Sequence, residues 1–381
     1  MNTRTIVAVG LVAALFFQVH AFAEGAVASG TGVAAAADPE EAARETWRSL
    51  VVKNPPGQSG CFHASYPNYT WESADCGEAQ LRAHPLQVAS VAVVPGVAGY
   101  GNDYVARTQG LMSEAQGEFS ASNVTSVSSL PVASFGNGGI LGANQYSIQL
   151  NTNNDGSGSY ACEHVSGCTV WQQFFYSTDL VTIIPGLDYR AGLYMQYWLL
   201  YWDSSACPKN WIRSSYKDQP ACYKNSTVAW VPNIPISTLG AVKMHASATP
   251  GGNDEVTLAY STDAWSVTAS DSVLEIGYYW QEAEFNVLGD GGGSLAEFNE
   301  YASVNVKLSV SDGSSIPPTC VAQEGTTGET NNFTLGGSCQ VEPSGVSGLP
   351  YAIAFSESVL PTPPPVISHC PPAGCKGTQL D

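Results

Sequence analysis

Short apolar or alternating segments follow one another between about Tyr100 and Ser311. Gly, Asn, Asp and Ser, which favour turns, separate these segments, and few stretches show helical periodicity. Several strands at such spacing indicate an antiparallel sandwich or barrel. We therefore expect an all-β fold, built as an antiparallel β-sandwich. The segments cover residues 117–127, 145–151, 170–176, 192–202, 256–261, 273–287 and 303–310.

The charge balance excludes two classes of partner. The 381 residues include 14 Lys and Arg against 33 Asp and Glu, which gives a formal net charge of −19. Contact with a phosphate backbone needs clustered basic residues, so we expect no nucleic-acid partner, and an anionic membrane surface is disfavoured for the same reason. The hydrophobic fraction of 44% is still enough for a large core. We expect a monomer.

The N-terminus has the pattern of a secretory signal peptide. A basic start at Arg4 precedes an apolar stretch from Ile6 to Phe17 and the small-residue cleavage pattern Ala21-Phe22-Ala23. The apolar stretch is shorter than a bilayer span, so we expect export and no membrane insertion of the mature chain. The predicted organisation is a signal peptide at 1–23, a flexible leader at 24–52, a Cys- and Pro-rich cap or pro-region at 53–99, the sandwich at 100–360 and a Pro-rich tail at 361–381.

Ten cysteines follow the signal peptide and fall into five local pairs. In an oxidising compartment such pairs favour short disulfide clips, although the sequence does not prove their connectivity. Zinc is the alternative, but no pair has the C-x-x-C spacing and the His residues are scattered. We expect no metal and no cofactor, and an extracellular location, or a periplasmic or envelope location in a bacterium. The pairs are Cys61 with Cys76, Cys162 with Cys168, Cys207 with Cys222, Cys320 with Cys339, and Cys370 with Cys375.

Three strand-like segments combine aromatic residues with Gln and Glu: TVWQQFFYS (169–177), LYMQYWLLYW (193–202) and YYWQEAEFNV (278–287). Alternation along the third segment places Glu282, Glu284 and Asn286 on one face of the sheet. The other face carries Gln281, Ala283, Phe285 and Val287. The carboxylate face indicates either a site or an ordinary solvated outer face.

These segments resemble the eqolisins, secreted glutamic peptidases with a concanavalin-A-like sandwich. The stretch AEFNVLGDGGGSLAEFNEYASVNV, 283–306, reproduces the order of the family's catalytic-glutamate strand, turn and last strand, and Glu284 falls on the glutamate. WQQF, 171–174, precedes the aromatic YMQYWLLYW as the family's glutamine strand precedes its aromatic strand. Gln172 is the best match to the catalytic glutamine, with Gln173 one register away. The resemblance spans 114–311.

A more remote resemblance, to the neprosin-type glutamic peptidases, gives a second alignment. Matching that group's Trp-Gln to Trp171-Gln172 places its catalytic glutamate at Cys168, and Gln172 is then structural. Both alignments remain open at the level of sequence.

The eqolisin resemblance implies a specific mechanism. Glu284 takes a proton from water and later protonates the leaving amine, while the Gln172 amide, or that of Gln173, donates to the oxyanion. A glutamate with an ordinary pKa near 4.3 favours acidic pH. The partner is then a polypeptide substrate. The aromatic residues expected to line its groove, or alternatively to belong to the core, are Trp171, Tyr197, Trp198 and Trp280.

Two other functions fit the same composition. The first is a non-catalytic lectin-like sandwich whose aromatic residues stack on glycans. The second is a structural secreted or envelope protein, which predicts no groove. Catalysis requires the Gln172 amide and the Glu284 carboxylate to face one another across a concave groove at a spacing that admits one water. A Gln172 side chain in the core or on the opposite sheet face would speak against the peptidase function.

Overall fold

The computed structural model describes residues 38–78, 97–99, 103–132, 139–163, 165–178, 180, 190–216 and 219–361. The predicted signal peptide, residues 24–37 of the predicted leader and the tail beyond residue 361 lie outside the described residues.

One α-helix and 25 short strands make up the regular structure of this part of the chain. The helix is α1 (Pro39–Val51), and four 3-10 turns lie at Tyr160–Cys162, Ile236–Ala241, Asp271–Val273 and Ile276–Tyr278. The strands are β1 (Gly60–Ser65), β2 (Glu72–Ala74), β3 (Cys76–Glu78), β4 (Val97–Gly99), β5 (Tyr104–Arg107), β6 (Glu114–Ser122), β7 (Val127–Leu130), β8 (Gly142–Ala143), β9 (Ser147–Thr152), β10 (Gly156–Ser157), β11 (Thr169–Ser177), β12 (Arg190–Leu200), β13 (Ile212–Tyr216), β14 (Gln219–Asn225), β15 (Thr227–Pro232), β16 (Lys243–Ala248), β17 (Asn253–Tyr260), β18 (Asp263–Ser270), β19 (Glu282–Leu288), β20 (Leu295–Phe298), β21 (Ser303–Ser311), β22 (Thr319–Ala322), β23 (Thr330–Leu335), β24 (Gln340–Val346) and β25 (Leu349–Ser358).

The strands form two sheets, which confirms the prediction of an all-β sandwich. Sheet A has the order β2-β1-β18-β17-β16-β6-β21-β25-β23-β20-β7-β8, with β4 and β24 as side branches. Sheet B has the order β13-β14-β12-β11-β9-β19-β5-β22, with β3, β10 and β15 as side branches. The pairing is antiparallel except between β20 and β23. Successive side chains on each strand therefore point alternately to the space between the sheets and to an outer face.

Aromatic side chains from both sheets fill the space between them. Phe119 of sheet A stacks on Phe285 of sheet B with ring centroids 4.6 Å apart. Phe174 of sheet B packs on Trp280 at 5.9 Å. All four residues belong to the largest buried cluster. This core holds the two sheets together and sets the faces that β11 and β19 turn outward.

Gly117 of β6 lies directly against the ring of Phe285 in sheet B. A Cβ at this position would lie 2.3 Å from ring carbons of Phe285, a distance that rigid core packing does not accommodate. We expect Gly117→Ala to lower the free energy of unfolding by about 3 kcal/mol, as overpacked cores do. Urea denaturation measures this change. Ser120→Ala, on the exposed side of the same strand, is the control and should change the stability by less than about 0.5 kcal/mol; equal effects of the two substitutions would contradict this packing.

The N-terminal segment is built into both sheets. Helix α1 lies in the predicted leader and packs through Trp47 and Val51 on Ala259 and Ala264 of sheet A. In the predicted cap, β1 pairs with β18 in sheet A, and β3 pairs with β15 in sheet B. The described part of 53–99 is therefore continuous with the sandwich.

Four of the five predicted disulfides lie within the described residues, and all four are present. They join Cys61 to Cys76, Cys162 to Cys168, Cys207 to Cys222 and Cys320 to Cys339. Each closes a local loop, as the spacing of the cysteines predicts.

The fifth predicted disulfide is not among the bonds of the described residues. Both Cys370 and Cys375 belong to the tail beyond residue 361, which lies outside the described part of the chain. The pairing of Cys370 with Cys375 therefore stays a prediction from their spacing in the sequence.

Among the helices in the described ranges, none is long and apolar enough to span a membrane.

Candidate active site

Strand β19 presents Glu284 on the outer face of sheet B. Ala283, Phe285 and Val287 point into the core, as alternation predicts. Glu284 is directly opposite Asn151 of β9, so both side chains lie on the outer face. Because Phe285 is anchored between the sheets, a one-residue slip of β19 would bury Glu284 in the core and expel the aromatic ring.

A row of amide and carboxyl side chains crosses sheet B at this level. Asn151 faces Gln173 of β11, Gln173 faces Gln196 of β12, and Gln196 faces Asn225 of β14. With Glu284 these residues form a line across five neighbouring strands, which we call the polar row: Asn225, Gln196, Gln173, Asn151 and Glu284. Two strand spacings of about 4.8 Å separate Gln173 from Glu284 at the backbone.

Gln172, the first-choice catalytic glutamine, lies on the opposite face. Its Nε2 is 3.7 Å from the Sδ of Met195. Burial raises the pKa of Asp254 of sheet A, and a hydrogen bond from the Gln172 amide counteracts part of that rise. Gln172 therefore points between the sheets, and the structure does not bring it together with Glu284. Gln173, one register away, lies on the face of Glu284.

One oxygen of Glu284 is fully bonded and the other is free. Oε2 accepts hydrogen bonds from the Thr326 N–H at 2.8 Å, the Thr326 hydroxyl at 3.0 Å and Asn151 Nδ2 at 3.2 Å. Oε1 has no hydrogen-bond partner among the described residues. Burial raises the pKa of Glu284, and hydrogen bonds from Thr326, Asn151 and the Thr327 N–H counteract part of that effect. The carboxyl group is thus held in one orientation, with Oε1 as its less hydrogen-bonded oxygen.

The amide of Gln173 is oriented by Trp198. The indole Nε1 donates to Gln173 Oε1 at 2.9 Å and to Gln196 Oε1 at 3.0 Å, and Gln196 Nε2 in turn donates to Asn225 Oδ1 at 2.7 Å. These contacts fix the oxygen side of the Gln173 amide. Its Nε2 donor has no partner within the described residues.

Three neighbouring polar atoms at the Glu284 end of the row are thus buried without a partner in the described part of the chain: Gln173 Nε2, Asn151 Oδ1 and Glu284 Oε1. A buried polar group without a hydrogen bond costs about 1–3 kcal/mol, so native proteins satisfy nearly all of them. A donor and two acceptors on one face form a set that a water molecule or a peptide group would complete. The row thus carries an unpartnered amide donor and an unpartnered carboxyl oxygen on the same face of sheet B.

Apolar clusters flank the polar row on both sides. Trp171 and Trp198 pack at 5.9 Å, and Tyr223 stacks on Trp198 at 5.0 Å. On the other side, Phe175 stacks on Tyr194 at 5.4 Å. Of the four aromatic residues predicted to line a groove, Trp171 and Trp198 lie on the face of Glu284, whereas Tyr197 and Trp280 belong to the core between the sheets.

The polar row is closed in this structure. Glu284 is 1% exposed and Gln173 is 0% exposed. Gly325 and Thr326 lie directly against the Glu284 carboxyl, and a Cβ on Gly325 would lie 2.8 Å from Oε1. A molecule from the solvent can contact the row only if the part of the chain that covers the row moves away.

The structure bears on two other possibilities raised by the sequence, a catalytic residue at position 168 and a bound zinc ion. Cys168, the glutamate position in the neprosin-type alignment, forms a disulfide with Cys162. In the described parts of the chain, no three His, Cys, Asp or Glu side chains are placed to hold a metal ion.

Several members of the site were not identified from the sequence. Asn151 ends the predicted strand segment 145–151, but nothing in the sequence marks its side chain as facing Glu284. Thr326 follows Glu284 by 42 residues and lies in a loop between β22 and β23. Asp103 directly precedes β5, and its buried carboxyl group lies next to the row.

Comparisons of the chain with protein-family models, with curated proteins and with solved structures find no match.

Proposed function

We propose that this chain is a secreted, acid-acting endopeptidase of the glutamic type, with Glu284 as the general base and Gln173 as the oxyanion donor. The supporting observation is the polar row, in which Gln173 Nε2, Asn151 Oδ1 and Glu284 Oε1 are buried on one face without partners among the described residues. The four disulfides fit an oxidising compartment. The proposed substrate is a polypeptide, and the chain acts without a cofactor.

The proposed reaction uses one water molecule and two proton transfers. Glu284 accepts a proton from water as the water oxygen attacks the peptide carbonyl carbon, and Gln173 Nε2 donates a hydrogen bond to the carbonyl oxygen as it becomes negative. Glu284 then gives its proton to the amide nitrogen, the C–N bond breaks, and a carboxylic acid and an amine leave. Asn151 holds the Glu284 carboxyl through Oε2, and its own Oδ1 has no partner among the described residues.

The hydrogen bonds to Glu284 explain how a buried carboxyl can act as a base. Burial alone would hold the proton on the group, whereas three donors to Oε2 stabilise the charged form. The remaining oxygen then carries the basic lone pair toward the row. Loss of the Glu284 proton therefore sets the lower pH limit of activity, because the group must be unprotonated before it can accept a proton from water.

A second candidate function, glycan binding, is favoured by a separate cavity. The loop closed by the disulfide between Cys162 and Cys168 lines a cavity of about 570 Å³, and Tyr160 on its rim is 83% exposed. Hydroxyl groups and an exposed ring are suited to a neutral, hydroxylated ligand. The hydroxyl-bearing residues of the lining are Ser157, Ser159, Tyr160, Ser166 and Thr169.

Cleavage of a denatured protein substrate by the purified chain at pH 3 to 7 tests the proposal. We expect cleavage in the acid range. The protein is first incubated at pH 4, so that the part of the chain that covers the polar row has time to move away and expose it. Fragment N-termini, read by mass spectrometry, separate endopeptidase from exopeptidase action. No cleavage before or after acid incubation, with the protein folded, would refute the peptidase function. Retention of the same protein on a polysaccharide column, lost in Tyr160→Ala, would then favour glycan binding.

A further inference from the structure

A second buried carboxyl group lies beside the proposed base. Asp103, immediately before β5, is fully buried, and β5 pairs with β19 through Val105 and Glu284. A Cβ on Gly325 would be 2.8 Å from Glu284 Oε1 and 3.1 Å from Asp103 Cβ. The free oxygen of Glu284 and the Asp103 side chain therefore lie within about 6 Å of each other, the range in which carboxyl groups influence each other's ionisation. Gly325 permits this approach because it has no side chain to separate the two groups.

The two carboxyl groups have unequal support for a negative charge. Oε2 of Glu284 accepts three hydrogen bonds. Asp103 accepts one at each oxygen, from the Tyr104 N–H and from Asn286 Nδ2, both at 2.8 Å. Asn286 Nδ2 is also 3.3 Å from Glu357 Oε2, so Asp103 faces a second buried carboxyl group as well. When one proton leaves the pair, the charge is better placed on Glu284.

No positive charge compensates this cluster within the described residues. None of their ion pairs includes Asp103, Glu284 or Glu357. Burial, followed by the charges of Glu284 and Glu357, raises the pKa of Asp103 well above its ordinary value. Two adjacent charges in so dry a site are costly, and a buried pair of this kind loses its protons in two separate steps.

We propose that Asp103 is a positioning residue for Glu284, a neutral carboxyl group that retains one proton, so that the pair carries a single negative charge while the site is active. This inference rests on the proposed function of Glu284. Ionisation of Asp103 would add a second negative charge beside Glu284, and the negatively charged transition state would rise in energy. The pair thereby sets the upper pH limit of activity, while Glu284 alone sets the lower limit.

The coupling is measured without reference to activity by carbon NMR of protein labelled at the Asp side-chain carboxyl carbon. The Asp103 signal is assigned by its loss in Asp103→Asn. We expect its apparent pKa to fall by at least about one unit in Glu284→Gln, since the neighbouring charge is gone. The control is Asp254→Asn, which removes a buried carboxyl group on the inner side of the sandwich and should not move the Asp103 signal. An Asp103 titration that is the same in wild type and Glu284→Gln would overturn the inference.

The pH profile of kcat tests the functional half of the inference. Asp103→Asn should leave the acidic limb in place and move the alkaline limb to higher pH by about one unit or more, because its side chain stays neutral. Superimposable profiles of wild type and variant would contradict the positioning role. If the wild-type chain cleaves no substrate, the proposed function fails and the NMR titration still decides whether the pair is coupled.

Discussion

Glu284→Gln is expected to abolish peptide hydrolysis while leaving the fold intact. Loss of a general base lowers kcat by about 10² to 10⁴-fold, and here the same group also protonates the leaving amine, so we expect a loss of at least about 10³-fold. The amide oxygen of Gln can take the place of Oε2 and accept the hydrogen bonds from Thr326 and Asn151. The amide nitrogen then occupies the place of Oε1, where it has no lone pair to accept a proton.

Glu282→Gln is the matched control for this substitution. Glu282 belongs to the same strand and pairs with the exposed Arg107 at the edge of the site. Its substitution should leave kcat near the wild-type value. Steady-state cleavage of a fluorogenic peptide at the pH optimum compares the three proteins. Substantial activity in Glu284→Gln, or an equal loss in Glu282→Gln, would remove Glu284 from the role of base.

The protein is expected to lose stability as the pH rises from 5 to 8. Burial raises the pKa of Glu357 to about 8, although Asn286 donates a hydrogen bond that lowers it. The pKa values of Asp103, Glu284 and Asp254 are raised for the same first reason, burial. Above the ordinary glutamate pKa the unfolded chain releases these protons while the folded protein retains them, so unfolding becomes easier with each step in pH. The loss continues until the folded-state pKa is passed.

Glu357 alone contributes at most about 5 kcal/mol to this change between pH 4.5 and 8. Urea denaturation at half-unit pH steps measures the free energy of unfolding. Glu357→Gln keeps the shape of the side chain and has no proton to lose, so its stability should fall less steeply over the same range. A wild-type stability that is constant or rises from pH 5 to 8 would show that the buried carboxyl groups are solvated or compensated.

The regular spacing of short segments predicted the sandwich correctly, because alternation and turn residues are local properties of the chain. The same alternation predicted that Glu284 and Phe285 lie on opposite faces of one strand. In the structure Phe285 is in the core and Glu284 is on the outer face. The four described disulfides were predictable because each of them joins cysteines no more than 19 residues apart.

The choice between Gln172 and Gln173 was not predictable in the same way. Both residues lie in the continuous aromatic run TVWQQFFYS, whose two faces are equally buried. A run without polar alternation does not show which face is which, and a slip of one residue exchanges them. Only the pairing of Gln173 with Asn151, and of Asn151 with Glu284, places Gln173 in the row.

The other features that the sequence did not predict depend on contacts between distant parts of the chain. The Thr326 hydrogen bonds and the approach of Asp103 depend on loops that meet β19 only in the folded sheet. Likewise, the N-terminal segment joins strands about 200 residues away, since Cys61 of β1 lies opposite Val267 of β18. Local patterns carry no information about such pairings.

The kinetic comparison of Gln173→Leu with Gln172→Leu tests the proposed site most directly. Both substitutions remove one buried amide from neighbouring positions of the same strand, and Trp198 keeps its hydrogen bond to Gln196 when Gln173 is replaced. Loss of an oxyanion donor lowers kcat by about 10² to 10³-fold, and we predict that loss for Gln173→Leu, with Gln172→Leu close to wild type. Full activity in Gln173→Leu together with loss of activity in a folded Gln172→Leu protein would place the chemistry on the other face of the sheet and contradict this account.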